Sequence, residues 1–136
     1  MNPTPATLAR ARPDAHRTIG PALLCRGDVW YVRADPEHPS TGAEIWPERP
    51  AVIISTNIVN SVTGCVSVVF LARQGETLRN GQVPITATGD LRHDSVAVCT
   101  QVHSLDRNRL VKRLTSVKDD ELEAISTTLG QTLGLD

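Results

Sequence analysis

Aromatic side chains are almost missing from this chain: Phe, Tyr and Trp together make up 3% of its 136 residues. A core must therefore be built from Val, Ile, Leu and Ala, and a nucleic-acid surface of stacked aromatic rows is excluded. An excess of charge is missing too. Lys and Arg number 14 against 15 Asp and Glu, a formal net charge of -1, so there is no broad cationic surface to displace counterions from a polyanion. That balance leaves room for a small local basic site. The cysteines Cys25, Cys65 and Cys99 are few, odd in number and far apart; with neither a CxxC nor a Cys/His zinc spacing, they read as reduced thiols of a cytosolic protein. No apolar run approaches the roughly 20 residues that cross a bilayer, and the N-terminus lacks the apolar stretch of a secretory signal. A cytoplasmic protein without a membrane partner is expected.

What is present has a globular balance, 40% apolar and 21% charged, at a length that suits one domain with one core. Residues 1–25 hold Pro3, Pro5, Pro13 and Pro21 with Arg10, Arg12 and Arg17, and show no sustained periodicity. They read as a flexible basic tail, with an RNA-contacting arm as the functional alternative. The domain spans 26–136. Val29 to Val32 is the first strand by its β-branched and aromatic content, and the breaker-rich stretch from Asp35 to Glu48 is a long exposed loop. Pro50 to Ser55 and Cys65 to Leu71 are nearly continuous apolar runs, so they form the sheet centre with both faces covered. Asn57 to Gly64 reads as a hairpin-like turn between them. Val83 to Thr86, Ser95 to Thr100 and Leu110 to Leu114 supply further short strands, which favours a small barrel, because crossover helices have no room.

The end of the chain follows another period. Ser116 looks like a helix cap, with Asp119, Asp120 and Glu121 placed well against the helix dipole. Leu122, Ile125, Leu129 and Leu133 then recur every three or four residues, the pattern of an amphipathic helix packed on the barrel or a partner. Gly134 reads as its stop. The class expected is mostly β with α.

The chemistry has few candidates. There is no phosphate-binding P-loop and no nucleophile elbow. His16, His38, His93 and His103 are scattered, so no metal site is expected. His103 is the best placed for catalysis and is otherwise a surface histidine.

The informative run is Gly42-Ala43-Glu44-Ile45-Trp46-Pro47-Glu48-Arg49-Pro50, followed by Ala51-Val52-Ile53-Ile54-Ser55. It carries an acid and an arginine from a loop onto the start of a buried strand. Together with Arg26-Gly27-Asp28-Val29-Trp30 before it, and Asp94-Ser95-Val96-Ala97-Val98, Gln101-Val102 and Leu105 to Leu110 after it, this order of motifs resembles the MazF/PemK toxins from Arg26 to the C-terminus. The resemblance implies a small SH3-like (CcdB/MazF-type) barrel with a C-terminal helix, a homodimer, and metal-independent, cofactor-free endoribonuclease cleavage of single-stranded RNA at short sequences. It also implies a cognate antitoxin of the MazE/PemI type.

Such cleavage begins with attack of the RNA 2′-hydroxyl on its own phosphate, a nucleophile that DNA lacks. It needs a cation for the crowded phosphorane, a proton acceptor and a proton donor. Arg49 suits the cation role, being planar, always charged and bidentate, and Glu44 is the nearest candidate base. An ordinary ion pair between Arg49 and Glu44 or Glu48 is the plain structural alternative. Gln74, Glu48 and Trp46 are candidate RNA contacts. The resemblance also implies a catalytic Thr just after the third strand, where this chain has Ala72, which cannot exchange a proton. Arg73, as a second phosphate contact, and Ser55, as a hydroxyl source, are the candidate substitutes. Two other functions compete: a CcdB-like gyrase poison, which would not need the arginine, and a catalytically weakened relative that mainly binds antitoxin.

Overall fold

The computed structural model describes residues 24–45 and 48–135. The expected tail lies outside them except for Leu24 and Cys25, and Trp46 lies outside them as well. Leu24 is only 1% exposed and sits in the core, so packing already includes the end of the stretch read as tail.

In chain order the described elements are β1 (Asp28–Val32), β2 (Arg49–Ile53), α1 (Asn57–Val62), β3 (Cys65–Arg73), β4 (Gln82–Ile85), β5 (Ser95–Asp106), β6 (Leu110–Ser116) and α2 (Asp119–Leu133). The strands form one antiparallel sheet in the spatial order β4-β5-β3-β2-β1-β6. This is the mostly β fold with a C-terminal helix that the sequence implies. The sheet curls until the segment after β4 meets β6 at its far end. There Asp90 N–H donates to Leu114 O at 3.0 Å, and the Thr88 and Thr115 hydroxyls lie 2.7 Å apart. These contacts bridge the two ends in place of a β4–β6 ladder. Gly89 permits the approach: its φ is +54°, and a Cβ there would stand 2.8 Å from Leu114 O.

The apolar runs lie where both faces are covered. Successive residues of a strand point to opposite sides, so Ala51, Ile53, Val68 and Phe70 enter one core cluster, while Val52, Val69 and Leu71 enter a second. Ile125 of α2 is fully buried in the second cluster. Leu122 and Leu129 are half-buried, whereas Leu133 is 55% exposed, so the apolar face of α2 leaves the sheet before its last turn.

Three expectations change. Asn57 to Gly64 is not a bare turn: Thr56 Oγ1 accepts the Val59 N–H, and fully buried Asn60 donates from Nδ2 to Leu24 O and Ser55 O, both at 3.1 Å. These side-chain partners stabilise a short helix that apolar periodicity does not reveal. Strand β5 continues past Thr100 to Asp106, because a register irregularity between Val69 and Leu71 lets it bend and go on pairing. The cap of α2 is Lys118, since Ser116 is used as the last residue of β6, its hydroxyl donating to Asp28 Oδ1 at 2.9 Å. Glu121 then accepts the N–H groups of Lys118 (2.9 Å) and Thr86 (2.8 Å), tying the helix to the end of β4. Gly134, at φ +71°, ends the helix as expected.

Candidate active site

The turn into β2 is built by Glu48. Its φ of +69° is left-handed, a conformation that persists in a non-glycine residue only when neighbours hold it. Tyr31 Oη donates to Glu48 O at 3.0 Å, and the Glu48 carboxylate accepts the Ala34 N–H. This carboxylate, expected as an RNA contact, is thus engaged in holding the loop. Arg49 follows as the first residue of β2, paired with Val32. Alternation gives it the face of Ala51 and Ile53, and continuing the Ala51–Phe70 register by two residues sets it opposite Ala72.

Arg49 is half-buried, and its Nε is buried without a hydrogen-bond partner. Among the described residues it forms no ion pair, so the alternative in which it is spent on Glu44 or Glu48 does not hold there. It lines a cavity of about 430 Å³ together with Tyr31, Ala72, Arg73, Arg92 and His93. Asp90 also borders this cavity, with its carboxylate 3.3 Å from Lys112 Nζ. Three arginines therefore line one concavity in a chain whose formal charge is -1. A planar, permanently charged fork is the group that best meets the oxygens of a phosphodiester.

The other expected residues are distributed differently. Glu44 does not line that cavity; it is exposed, accepts the Thr41 N–H at 2.5 Å, and borders a separate pocket of about 220 Å³ with His38, His103 and Arg109. Ser55 lies beyond the far end of β2, its hydroxyl donating to Asn60 Oδ1 (2.5 Å) and accepting the Ser67 N–H (3.0 Å). It therefore does not supply a hydroxyl beside Arg49. Gln74 is exposed just past β3, and Arg73 alone of the candidate substitutes for a Thr reaches the Arg49 cavity.

The family model of PemK-like, MazF-like toxins of type II toxin–antitoxin systems matches residues 25–133. The chain belongs to the PemK/MazF toxin family. A curated member of similar sequence, the endoribonuclease MazF of Staphylococcus saprophyticus, is 27% identical over 118 residues, covering 83% of this chain and 93% of that protein. A solved MazF from Deinococcus radiodurans superposes with a TM-score of 0.68 at 25% identity, covering 81% of this chain and 96% of that one. An endoribonuclease from a mycobacterial species, solved in complex with its cognate antitoxin, shares the fold with a TM-score of 0.62 at 23% identity, over 82% of this chain and 96% of its own.

Within this PemK/MazF chain, the sequence gives Arg92 no role and leaves His93 among the scattered histidines. They precede β5 at its start, and only the placement of β5 beside β3 brings them to the cavity of Arg49. Gln101 stands in a sequence motif that assigns it no role of its own. Its side chain bridges the loop, accepting the Ile45 N–H at 2.7 Å and donating to Ala43 O at 3.0 Å, which fixes the backbone on both sides of Glu44. His103, further along β5, meets the Phe70 ring edge-on at 4.9 Å. Burial holds its pKa below the ordinary histidine value, the nearby Glu44 charge works against that shift, and the Arg109 charge works with it.

Proposed function

We propose that this toxin is a metal-independent endoribonuclease that cuts single-stranded RNA at the Arg49 cavity, acts as a cytoplasmic homodimer, and is neutralised by a cognate antitoxin. The observation that carries the reading is the half-buried Arg49, with no ion pair among the described residues and a partnerless Nε, lining one open cavity with Arg73 and Arg92. In the reaction the 2′-oxygen forms a bond to phosphorus as the bond from phosphorus to the 5′-oxygen breaks. The products are a 2′,3′-cyclic phosphate and a free 5′-hydroxyl. Arg49 and Arg73 meet the non-bridging oxygens, where negative charge concentrates in the phosphorane. His93 lines the same cavity, and an imidazole has one nitrogen that accepts and one that donates a proton, so it takes the 2′-hydroxyl proton or returns one to the leaving oxygen. Glu44, the base expected from sequence, gives up that role because it borders the other pocket.

Ala72 favours a second reading, a weakened enzyme that mainly binds antitoxin, since this member of the family has no hydroxyl at that position. Incubation of the purified protein with a long RNA in EDTA decides between them. Cleavage that survives EDTA and falls by about 10²-fold or more in Arg49→Ala supports the nuclease. A silent wild type rescued by Ala72→Thr supports the weakened enzyme. Inhibition of gyrase supercoiling without RNA cutting defeats both.

A further inference from the structure

Glu44 and His103 border two concavities, one of about 430 Å³ beside Thr100 to Val102 and a smaller one with Phe70 and Arg109; the smaller pocket is separate from the Arg49 cavity, yet those two are neighbours on β3. Phe70 lines the smaller pocket and Ala72 the Arg49 cavity, two residues apart on one face, about 7 Å along a strand. That short separation would let a strand held by its phosphate at Arg49 set a nearby base at the pocket.

The pocket's volume of about 220 Å³ lies below the roughly 300 Å³ at which sites for drug-sized ligands begin. It suits one flat ring system. Phe70, Ile45 and Leu105 give it apolar walls, and His103, Arg109 and Glu44 give it polar edges. His103, one of the lining residues, has a buried Nε2 with no hydrogen-bond partner, an unsatisfied polar atom of the kind that native structures rarely leave. Arg109 Nε donates to Arg33 O at 3.0 Å, and no ion pair occupies its guanidinium among the described residues. Of the Glu44 oxygens, Oε1 accepts the Thr41 N–H, and Oε2 has no partner among the described residues. The pocket lining therefore combines a donor-only guanidinium and an acceptor-only carboxylate with hydrocarbon side chains.

Guanine matches that division better than the other bases. Its Watson–Crick edge offers two adjacent donors, N1–H and the N2 amino group, to a carboxylate, while O6 and N7 accept from a guanidinium. Adenine and cytosine offer a carboxylate one amino group, and uracil offers one imide N–H flanked by carbonyls that repel it. Bases of single-stranded RNA are free to splay into such a slot. We propose that the Glu44–His103–Arg109 pocket binds a guanine base of the RNA and sets the sequence preference of cleavage. The proposal rests on the ribonuclease reading for its biological role but not for its binding test.

The test is a titration of the full-length protein with each of the four nucleoside 5′-monophosphates, followed by NMR of the histidine side chains and backbone amides. The expected result is that GMP shifts the resonances of His103, Ile45 and Phe70 and binds about tenfold or more tighter than AMP, CMP or UMP. Glu44→Gln and Arg109→Lys each reduce that preference, while their circular dichroism matches the wild type. Equal binding of all four nucleotides, or GMP shifts confined to the Arg49 cavity, overturns the proposal. The cut sites are mapped in parallel on a long RNA. A wild type that cuts next to guanine, with a preference relaxed by Glu44→Gln, supports it. Cutting with a motif unchanged by Glu44→Gln removes the specificity role while leaving the nuclease in place. Selective GMP binding without any RNA cutting supports the pocket and sinks the nuclease reading.

Discussion

Replacing Gln101 by Leu tests whether one side chain holds the loop over the smaller pocket. Gln101 makes two hydrogen bonds to that loop, from Ile45 N–H at 2.7 Å and to Ala43 O at 3.0 Å, and Leu keeps its bulk while removing both. Each such bond contributes about 0.5–1.5 kcal/mol net. Because the loop is largely exposed and water replaces some of what is lost, about 1–2 kcal/mol is expected. At roughly 1.4 kcal/mol per factor of ten, the Ile45 amide loses about 5- to 30-fold in hydrogen-exchange protection. Fully buried sheet residues such as Val68 and Val69 keep theirs, since the loop opens without unfolding the sheet. RNA cleavage falls in parallel with the local opening. An unchanged Ile45 exchange rate shows that the loop is held by other contacts. A uniform loss of protection through the sheet shows that Gln101 acts on global stability instead.

Other perturbations separate core, loop and site. Ile125→Ala removes a fully buried side chain between α2 and the sheet and costs about 2–5 kcal/mol in denaturant unfolding; Leu133→Ala, half exposed at the end of the same helix, costs about 0.5 kcal/mol or less. Asn60→Ala removes the donor to Leu24 O and Ser55 O and the acceptor for the Ser55 hydroxyl, lowering stability by about 3 kcal/mol at roughly 1 kcal/mol per bond; a loss below about 1 kcal/mol means that water takes over these partners. For pH, burial keeps the folded pKa of His103 below the unfolded value of about 6.5, so the unfolded chain binds the proton more tightly. Stability is then complete above about pH 6.5 and is lost as pH falls through the folded value. Glu44 opposes this loss and Arg109 reinforces it, while His38 borders the same pocket. His103→Gln flattens the fall in Tm below about pH 6.5, and an unchanged slope assigns the fall to another group.

Much of the architecture follows from local rules that need no tertiary knowledge. The runs at Ala51 to Ile53 and Val68 to Leu71 are buried on both faces because their apolar content is continuous, and no polar face could be turned to water. The period of α2 and the stop at Gly134 are equally local, set by helical geometry and by the freedom of glycine at positive φ. The family was also legible, because the order from Arg26 through Glu44 and Arg49 to Gln101 survives in one dimension. Three things were not local. Helix α1 depends on Asn60 finding Leu24 O, a partner far back in the chain. The loss of Ser116 as a cap depends on β6 pairing with β1. The division of the site depends on sheet order: Glu44 and Arg49 are five residues apart in sequence yet border different pockets, while His93 reaches Arg49 because β5 pairs with β3 and β3 with β2. Sequence proximity places groups along a chain, but only the lateral pairing of strands decides which side chains share one concavity, and that is where charges and protons meet.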